Sequence, residues 1–348
     1  MKFIINREQL LTPLQQIVSV IEKRQTMPIL SNVLIVINDG QLILTGTDLE
    51  IQLIAKINID SATAGAITVP ARKFLDICRL LPSGAEITIE QHDDKIKIAS
   101  SRSRFSLSCL PADNYPEFAE AELENQFFIT AGQFKKALDK TLFCMANQDV
   151  RYYLNGLLLH ISNSRLELVA SDGHRLSIYE DQLEQATGFE ARIILPRKGV
   201  LELNRLLDDP EAELKVEFSS NNIRIFIKNL VFSAKLVDSK YPDFGKVFQQ
   251  EFFNKIHIEK QLLKNALTRV AILSNEKFKG VTFDKEELAI EYSGDPLSIA
   301  FNAQYLLDAV SNLDSDIAVL TIASNASSCF IDEPEGCAYK FIVMPMRL

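Results

Sequence analysis

A short strand followed directly by a helix occurs three times in this sequence, and this repetition constrains the fold more than any other feature. The clearest copy, residues 192–207, begins with apolar strand residues, reaches Pro196 and continues with apolar residues at helical spacing, so that Pro196 is expected to open the helix. A second copy occupies residues 66–81, where Pro70 lies 126 residues before Pro196, and a weaker third copy occupies residues 298–313. We therefore interpret the chain as three successive repeats.

Length and composition restrict the class of protein. A chain of 348 residues with 47% hydrophobic and 24% charged residues is typical of a globular protein of two or three domains. No apolar run reaches the roughly 18 residues of a membrane helix, and the N-terminus lacks the apolar region of a signal peptide, so we expect a cytoplasmic protein without a membrane partner. Five scattered cysteines without a C-x-x-C pair predict reduced, structural thiols and argue against a zinc site.

Each repeat contains two halves, and each half is predicted to form a strand, a helix and further strands. In the first repeat a helix beginning near Arg7 has an apolar face at helical spacing, with Pro13 inside it, and Asp39-Gly40 predicts a hairpin between two apolar runs. The first helices of the other repeats are expected to bury two apolar stripes: Phe134, Ala137, Leu138, Thr141 and Leu142 in the second repeat, and Leu262, Leu263, Ala266, Leu267 and Val270 in the third.

The ends of the repeats share a proline-containing exit. Residues 237–244 repeat the pattern of residues 111–118, and these two segments predict domains at 1–122, 123–250 and 251–348. The third repeat is shorter than the others: its first half spans 46 residues, against 67 and 68 in the first two, with the deficit near residues 283–286. Either a hairpin is missing or the sequence omits a loop. We favour the omission, because the loss of an interior strand would expose two sheet edges.

Charge is unevenly distributed along the chain. The six helical segments carry a net charge of +8, which leaves −17 for the remainder of a chain whose total is −9. Helices that share one side of a sheet would therefore present a basic face, which suits a polyanion such as nucleic acid. The cations expected to contact phosphates are Arg24, Arg72, Lys73, Lys135, Lys136, Arg197, Lys198, Lys260, Lys264 and Arg269. The alternative is that each is an ordinary solvated helix residue. Since no motif for reading base edges is present, the contacts would be independent of sequence.

Several motifs, in order, make the whole chain resemble the bacterial DNA polymerase III beta subunit family, the sliding clamps. The motifs lie at residues 44–50, 148–156, 172–176, 273–278 and 343–348. The resemblance implies an α+β DNA clamp fold, in which three similar domains each pack two helices against antiparallel sheets, and head-to-tail dimerisation closes a ring around duplex DNA. It also implies a processivity factor without a cofactor, tethering the replicative polymerase, the clamp loader and repair proteins through short linear peptides. The shortened third domain is the one departure from the family pattern.

Positions matching the family motifs supply three sets of site residues. The subunit interface would use Lys73, Arg104 and Phe105 on one side, and Ile272 and Leu273 on the other, although the last two could equally be core residues. The peptide pocket would consist of Leu154, Ser171, Gly173, His174, Arg175, Leu176, Pro242, Val247, Ile342 and Met344, with a neighbouring subsite of Tyr153, Asn302, Tyr305, Ser328, Pro345, Met346 and Arg347. Arg24, Gln148, Tyr152 and Tyr153 would lie near DNA at the ring mouth, unless the tyrosines pack a strand instead.

One catalytic alternative remains. Asp172 and His174 lie two residues apart and could act as a base and an acid in a cytoplasmic hydrolase-like enzyme. No nucleophile motif, glycine-rich phosphate loop or metal-ligand cluster accompanies them. A turn residue and a cleft-lining histidine are therefore the interpretation that we favour.

Overall fold

A computed structural model describes residues 1–22, 27–60, 62–118, 122–245, 252–274, 288, 290, 298–323 and 328–346. The strands are β1 (Lys2–Asn6), β2 (Asn32–Asn38), β3 (Gln41–Thr47), β4 (Ile51–Asn58), β5 (Ala62–Thr63), β6 (Gly65–Pro70), β7 (Glu86–His92), β8 (Lys95–Ser100), β9 (Ser103–Ser108), β10 (Asn125–Thr130), β11 (Gly156–Ser162), β12 (Arg165–Ser171), β13 (Arg175–Gln182), β14 (Glu190–Pro196), β15 (Glu213–Phe218), β16 (Asn222–Ile227), β17 (Leu230–Lys235), β18 (Phe252–Glu259), β19 (Ile317–Ala323), β20 (Cys329–Asp332) and β21 (Tyr339–Val343). The helices are α1 (Arg7–Val20), α2 (Ala71–Leu80), α3 (Ala131–Asp139), α4 (Arg197–Leu206), α5 (Lys260–Ser274) and α6 (Ala303–Ser311).

The predicted strand, helix and strand order is present in the first repeat. The Asn6 side chain caps α1 by accepting a hydrogen bond from the Glu8 amide at 3.0 Å, and α1 packs against β3, β4 and α2. The β2–β3 turn has positive φ at both Asp39 (47°) and Gly40 (73°), as a tight hairpin with the right-handed strand twist requires. Pro13 lies inside α1, buried on its apolar face.

The two repeat prolines occupy a different position from the one predicted. Pro70 ends β6 with extended backbone angles (φ −54°, ψ 104°) and precedes α2, while Pro196 ends β14 and α4 begins at Arg197. Each proline is therefore the last strand residue before its helix and remains paired with a neighbouring strand. In the sheets, Pro70 pairs with Asn32 and Pro196 pairs with Gly156.

Three antiparallel sheets contain these strands. Their strand orders are β5-β1-β7-β8-β9, then β10-β15-β16-β17-β4-β3-β2-β6, and finally β14-β11-β12-β13-β21-β20-β19-β18. Both large sheets therefore combine the first half of one repeat with the second half of the next, through the pairs β4–β17 and β13–β21. The five-stranded sheet ends at β9, which pairs with β8 and, among the described strands, with no strand on its other side.

The chain divides into two compact units that do not follow the predicted domain limits. One unit comprises residues 1–132 with 201–236, and the other comprises residues 133–200 with 237–348. The division cuts across the repeats because each large sheet joins strands from two of them. The limits at 1–122, 123–250 and 251–348 stay a prediction.

Three local predictions were wrong. Helix α3 ends at Asp139, and Thr141 lies beyond it, where its hydroxyl donates to the Ala137 carbonyl at 2.7 Å and closes the last turn. On α5, Leu262 and Val270 are exposed (37% and 40%), although α5 packs against α6 and β18. Residues 298–301 form no strand. No described strand is available to pair with them, and the Ala300 carbonyl instead accepts from the Met346 amide at 2.8 Å.

The five cysteines are free thiols, and four of them are buried. Burial raises the pKa of Cys78 to about 12 and that of Cys109 to about 11, so both remain protonated near neutral pH. Among the described residues, no helix is long and apolar enough to cross a membrane, and no group of three or more His, Cys, Asp or Glu side chains could hold a metal ion. The predicted missing hairpin near residues 283–286 lies outside the described residues.

Candidate functional site

A cluster of buried apolar side chains lies on one face of the sheet formed by β11–β14 and β21, and we call it the cleft because the predicted peptide pocket falls on it. Its buried floor consists of nine side chains, Ala146, Leu154, Leu158, Val169, Leu176, Ile178, Ile194, Tyr241 and Ile342. Tyr153, Val237, Phe244 and Phe330 are half-buried against this floor. Strand alternation explains the arrangement, since Leu158, Val169 and Ile178 are directly paired residues of three adjacent strands and point to the same face.

A cavity with a volume of about 550 Å³ lies at the ends of β13 and β21. It is lined by His174, Asn302, Tyr305, Met344, Pro345 and Met346, all of which belong to the predicted peptide site. Two backbone hydrogen bonds hold the chain there: the Met344 amide donates to the His174 carbonyl, and the Met346 amide donates to the Ala300 carbonyl, both at 2.8 Å. Asn302 caps α6 by accepting from the Gln304 amide at 2.9 Å.

The turn between β12 and β13 positions the rim of this cavity. The Ser171 hydroxyl donates to the Arg175 carbonyl at 2.7 Å and accepts from the Gly173 amide at 3.0 Å. Gly173 has φ +88°, a backbone conformation that favours glycine, whereas the Arg151 guanidinium, 2.8 Å from where a Cβ would lie, is the end of a flexible side chain that could shift. The turn leaves the His174 side chain exposed at the cavity.

Arg175 is an internal ion-pair residue. Its side chain is 13% exposed and donates to Asp172 at 3.0 Å and to Asp308 on α6 at 2.5 Å. The guanidinium also lies 4.4 Å from the centre of the Tyr305 ring. The residue thus fixes α6 against the 171–175 turn and shapes the cavity wall. Two of its nitrogens, Nε and Nη1, are bound to these carboxylates.

The geometry disfavours acid–base chemistry at Asp172 and His174. One carboxylate oxygen of Asp172 accepts from the backbone amides of His174 (2.9 Å) and Arg175 (3.0 Å), and the other accepts from the Arg175 side chain. The carboxylate therefore closes a turn and neutralises an arginine. A general base needs an oxygen directed at its substrate or partner.

The structure describes two of the remaining predicted peptide-site residues and leaves two others outside the described part of the chain. Ser328 is buried and Pro242 is exposed. Val247 and Arg347 lie outside the described residues. Sequence reasoning missed Tyr241 and Phe244 as cleft residues, although the repeated exit segment 237–244 was a usable signal. It also missed Asp308, for which the sequence carries no signal, because its partner Arg175 lies 133 residues away.

Nine of the ten predicted DNA-contacting cations lie on described helices, several at helix N-termini. Arg72 and Lys73 lie in the first turn of α2 and are exposed, Arg197 and Lys198 begin α4, and Lys260 begins α5. A cation in the first turn opposes the helix dipole by roughly 0.3–1 kcal/mol, so such positions indicate a role other than helix stability.

Several of these cations also bond to the protein. Arg72 donates to the Ile21 carbonyl at 3.1 Å, Arg197 donates to the Met145 carbonyl at 2.9 Å, and Lys260 donates to the Leu313 carbonyl at 2.6 Å. Three others differ in exposure: Lys136 and Arg269 are exposed, whereas Lys135 is half-buried. Lys264 is also half-buried, and Arg24 lies outside the described residues.

The loop before β11 separates the two tyrosines. Gln148 is exposed with φ 59°, and Tyr152 is 75% exposed. Tyr153 instead packs at the cleft, with its ring centre 6.3 Å from that of Tyr241. The expectation of a strand through these tyrosines was wrong, since residues 152–155 form a 3-10 turn and β11 begins at Gly156.

The predicted interface residues lie partly at a sheet edge. Arg104 and Phe105 are exposed on β9, and Arg104 donates to the carbonyls of Ser101 and Ser103 at 2.7 and 2.8 Å. The side chains of Ile272 and Leu273, near the end of α5, lie outside the described part of the chain. Phe105 is 38% exposed, which is unusual for an aromatic residue on a free edge strand.

Comparison with known proteins identifies the fold and the family. Solved structures match at a TM-score of 0.94 for a sliding clamp of Pseudomonas aeruginosa bound to griselimycin (39% identity) and 0.93 for the pol III beta of Caulobacter crescentus (31% identity), each over 100% of both chains. The fold is therefore that of a three-domain DNA clamp. Family models for the DNA polymerase III beta subunit match at residues 1–119 (N-terminal domain), 129–243 (central domain) and 281–347 (C-terminal domain).

Curated relatives agree. The beta sliding clamps of Salmonella typhimurium and Escherichia coli K12 are each 41% identical over 367 aligned positions, covering 100% of both chains. The chain belongs to the DNA polymerase III beta subunit family, whose members serve DNA replication as polymerase processivity factors. Because the alignments span 367 positions and this chain has 348 residues, the relatives carry residues without a counterpart here. Both alternatives for the short third repeat predict such a difference.

Proposed function

We propose that two copies of this chain form a closed ring that encircles duplex DNA, slides along it without sequence preference, and tethers the replicative polymerase, the clamp loader and repair proteins through short linear peptides. The ring acts in the cytoplasm and performs no chemistry of its own. The strand pairing between repeats is the observation that carries this proposal.

The way the repeats share sheets supports the proposed ring. The last strand of the second repeat, β17, pairs with β4 of the first, and the last strand of the third, β21, pairs with β13 of the second. The equivalent last strand of the first repeat is β9, whose outer edge has no partner among the described strands. In both pairs the partner strand belongs to the preceding repeat. Because no repeat precedes the first one, the partner of β9 would be a strand of the third repeat of a second subunit. Two subunits that each offer one β9 edge and one third repeat close head to tail.

Exposed residues on β9 support this assignment. A free strand edge is normally protected against pairing, yet β9 is exposed along most of its length and carries Phe105. Arg104 and Lys73 are also exposed in the same repeat. In the proposed ring, Lys73, Arg104 and Phe105 meet the part of the partner subunit that contains its Ile272 and Leu273.

Phosphate contacts are proposed for the cations at the helix N-termini. Backbone amides and side-chain charges there attract anions together, and a sequence-independent contact suits a protein that slides. The cost of placing Arg72, Lys73, Arg197 and Lys198 against the helix dipole is offset when DNA is bound. Gln148 and Tyr152 are proposed to contact DNA from their exposed loop, while Tyr153 is better assigned to the cleft.

The apolar cleft and the cavity at the ends of β13 and β21 are proposed to bind the partner peptides. Aliphatic and methionine side chains can adapt to different apolar partners, while Asn302 and backbone groups at the rim fix an extended chain. Arg175, which pairs with Asp172 and Asp308, is proposed to shape the site by positioning α6. The hydrolase alternative receives no support, because both oxygens of the Asp172 carboxylate are occupied within the turn.

Retention on DNA tests the ring. Purified protein, assembled on nicked circular duplex DNA by a clamp loader with ATP, is expected to co-elute with the circle and to be released when a restriction enzyme linearises it. The variant Phe105→Asp is expected to be monomeric in sedimentation and absent from the circle. Phe128→Asp is the matched control, since Phe128 is 37% exposed on β10, and it should behave as wild type. Equal retention on circular and linear DNA would refute encirclement.

The salt dependence of DNA binding tests the phosphate contacts. Each phosphate contact contributes about −0.9 to the slope of log K against log salt concentration. The double variant Arg72→Gln and Lys136→Gln should therefore reduce the magnitude of the slope by up to about 2. The control is Lys97→Gln on strand β8, where the slope should not change. If the double variant keeps the wild-type slope, these two cations are solvated and do not contact phosphates.

A further inference from the structure

The first repeat contains an open groove at the position that the peptide cleft occupies in the second repeat. This groove, about 810 Å³ in volume, lies between the face of β2–β4 and the segment 112–118. Its sheet wall presents the half-exposed side chains of Leu34, Val36 and Ile54. The other wall is held in place by Tyr115, a buried residue whose hydroxyl donates to the Thr45 carbonyl at 3.2 Å.

Strand register shows that the two sites are equivalent. In the groove, Leu34 pairs with Thr45 and Thr45 pairs with Ile54. In the cleft, the same ladder is formed by Leu158, Val169 and Ile178. The exit segments also correspond, because Tyr-Pro-x-Phe at 115–118 recurs at 241–244.

A backbone hydrogen bond confirms the correspondence at the end of each site. The Lys235 amide donates to the Glu50 carbonyl at 2.9 Å, and the Met344 amide donates to the His174 carbonyl at 2.8 Å. Lys235 therefore takes the place of Met344, and Glu50 takes the place of His174. Each site is thus made from a sheet face, an exit segment and the end of the last strand of the next repeat, β17 for the groove and β21 for the cleft.

The side chains differ in a consistent direction. Val169 and Leu176 of the cleft correspond to Thr45 and Gln52 of the groove, so the groove floor is more polar. Among the lining residues, the charged ones are Asp113 and Glu117, both exposed carboxylates without an ion-pair partner among the described residues. Lys235 lies at the side of the groove, 5.9 Å from the centre of the Phe118 ring.

We infer that this groove is a second docking site, which binds an extended peptide carrying aliphatic side chains together with lysine or arginine. Leu34 and Val36 are two residues apart on one strand face, a spacing of roughly 6.6 Å that matches alternate side chains of an extended chain. The two exposed carboxylates at the mouth favour a cationic partner and oppose an anionic one. A clamp with both sites binds two peptides of different charge on each subunit.

Methyl NMR of the full-length protein tests the inference. Ile54 reports on the groove and Ile342 on the cleft. The probes are two acetylated, amidated heptapeptides that differ only in their terminal charges, Lys-Leu-Ser-Val-Ser-Leu-Lys and Glu-Leu-Ser-Val-Ser-Leu-Glu. The lysine peptide is expected to shift the Ile54 methyl resonance saturably at submillimolar concentration, and the glutamate peptide is expected to bind at least about fivefold more weakly.

Charge removal at the groove is the second arm. The double variant Asp113→Asn and Glu117→Gln should weaken the lysine peptide about fivefold at Ile54 and preserve the fold, since both side chains are exposed. Asp243→Asn, the matched change in the equivalent exit segment, should leave the Ile54 titration as in wild type. An Ile54 resonance that does not move at several millimolar peptide, equal binding of the two peptides, unchanged binding in the double variant, or a shift confined to Ile342 would each overturn the inference.

Discussion

Replacing Arg175 with methionine removes the cation that holds α6 against the 171–175 turn. The guanidinium donates to Asp172 at 3.0 Å and to Asp308 at 2.5 Å, and it stacks over Tyr305 at 4.4 Å. The exposed fractions of the three charged side chains are 13% for Arg175, 14% for Asp172 and 28% for Asp308. Methionine keeps an unbranched apolar stem, so the substitution chiefly leaves two carboxylates without their cation.

The expected cost follows from these exposures. Removing one partner of a buried ion pair costs about 3–5 kcal/mol, because the remaining charge stays desolvated. Water can reach part of Asp308, so we take the lower end, about 3 kcal/mol. Since 1.4 kcal/mol corresponds to a factor of ten in an equilibrium constant, the local opening of α6 should become roughly 100-fold more frequent.

Hydrogen exchange of the α6 amides measures this opening directly. Arg165→Met is the matched control: its guanidinium pairs with Glu167 and Glu180 at 2.9 Å but is 48% exposed, and such surface pairs contribute at most about 1 kcal/mol. Adding Asp308→Asn to Arg175→Met should recover part of the protection. If Arg175→Met changes α6 exchange less than threefold, or if Arg165→Met matches it, the assigned role of this ion pair is wrong.

Three further predictions concern single positions. Gly156→Ala places a Cβ 2.6 Å from a carbonyl oxygen of β14 and should lower the free energy of unfolding by about 1–3 kcal/mol in urea titrations; an unchanged midpoint would show that β14 can shift freely. A hydrogen bond from the Arg151 side chain holds the Asp149 carboxyl pKa at about 2. The contribution of this bond to stability is therefore present above the ordinary pKa of aspartate and is lost as the pH falls through about 2. In Arg151→Ala, carboxyl NMR titration should give a midpoint raised toward the ordinary aspartate value but still below it, because the amide of residue 151 continues to donate at 2.8 Å, and a midpoint still near 2 would contradict the assignment. Tyr115→Phe removes the hydroxyl bond to Thr45 and should cost about 1 kcal/mol, measured as faster exchange in residues 112–118 and not in β8.

Local patterns anticipated much of the fold. The periodicity of the apolar residues predicted α1 and the strand-helix units β6–α2 and β14–α4, and Asp39-Gly40 predicted its hairpin. The predicted burial was wrong where it depends on residues far away in the sequence. Leu262 and Val270 continue the apolar stripe of α5 yet remain exposed. Likewise, residues 298–301 have the composition of a strand but no described partner, and a strand requires one for its backbone hydrogen bonds.

The site divides in the same way. Family motifs led to His174, Tyr305 and Met344, which the structure gathers around one cavity. The role of Arg175 could not be read from the motif, because its bond to Asp308 joins positions that are far apart in the chain. The groove in the first repeat could not be predicted from the sequence either, because recognising it requires the register of β2, β3 and β4 and the position of the exit segment.

The sequence by itself determined the threefold repeat, the α+β class, the order of strands and helices, and the family. These follow from side-chain periodicity, turn residues and motifs, all of which act over a few neighbouring positions. Only the tertiary structure decided that β4 pairs with β17 and β13 with β21, leaving the edge of β9 open. Backbone hydrogen bonds form between strands whatever their side chains are, so they do not specify which two repeats are joined. The choice of partner is therefore made by the packing of whole sheets.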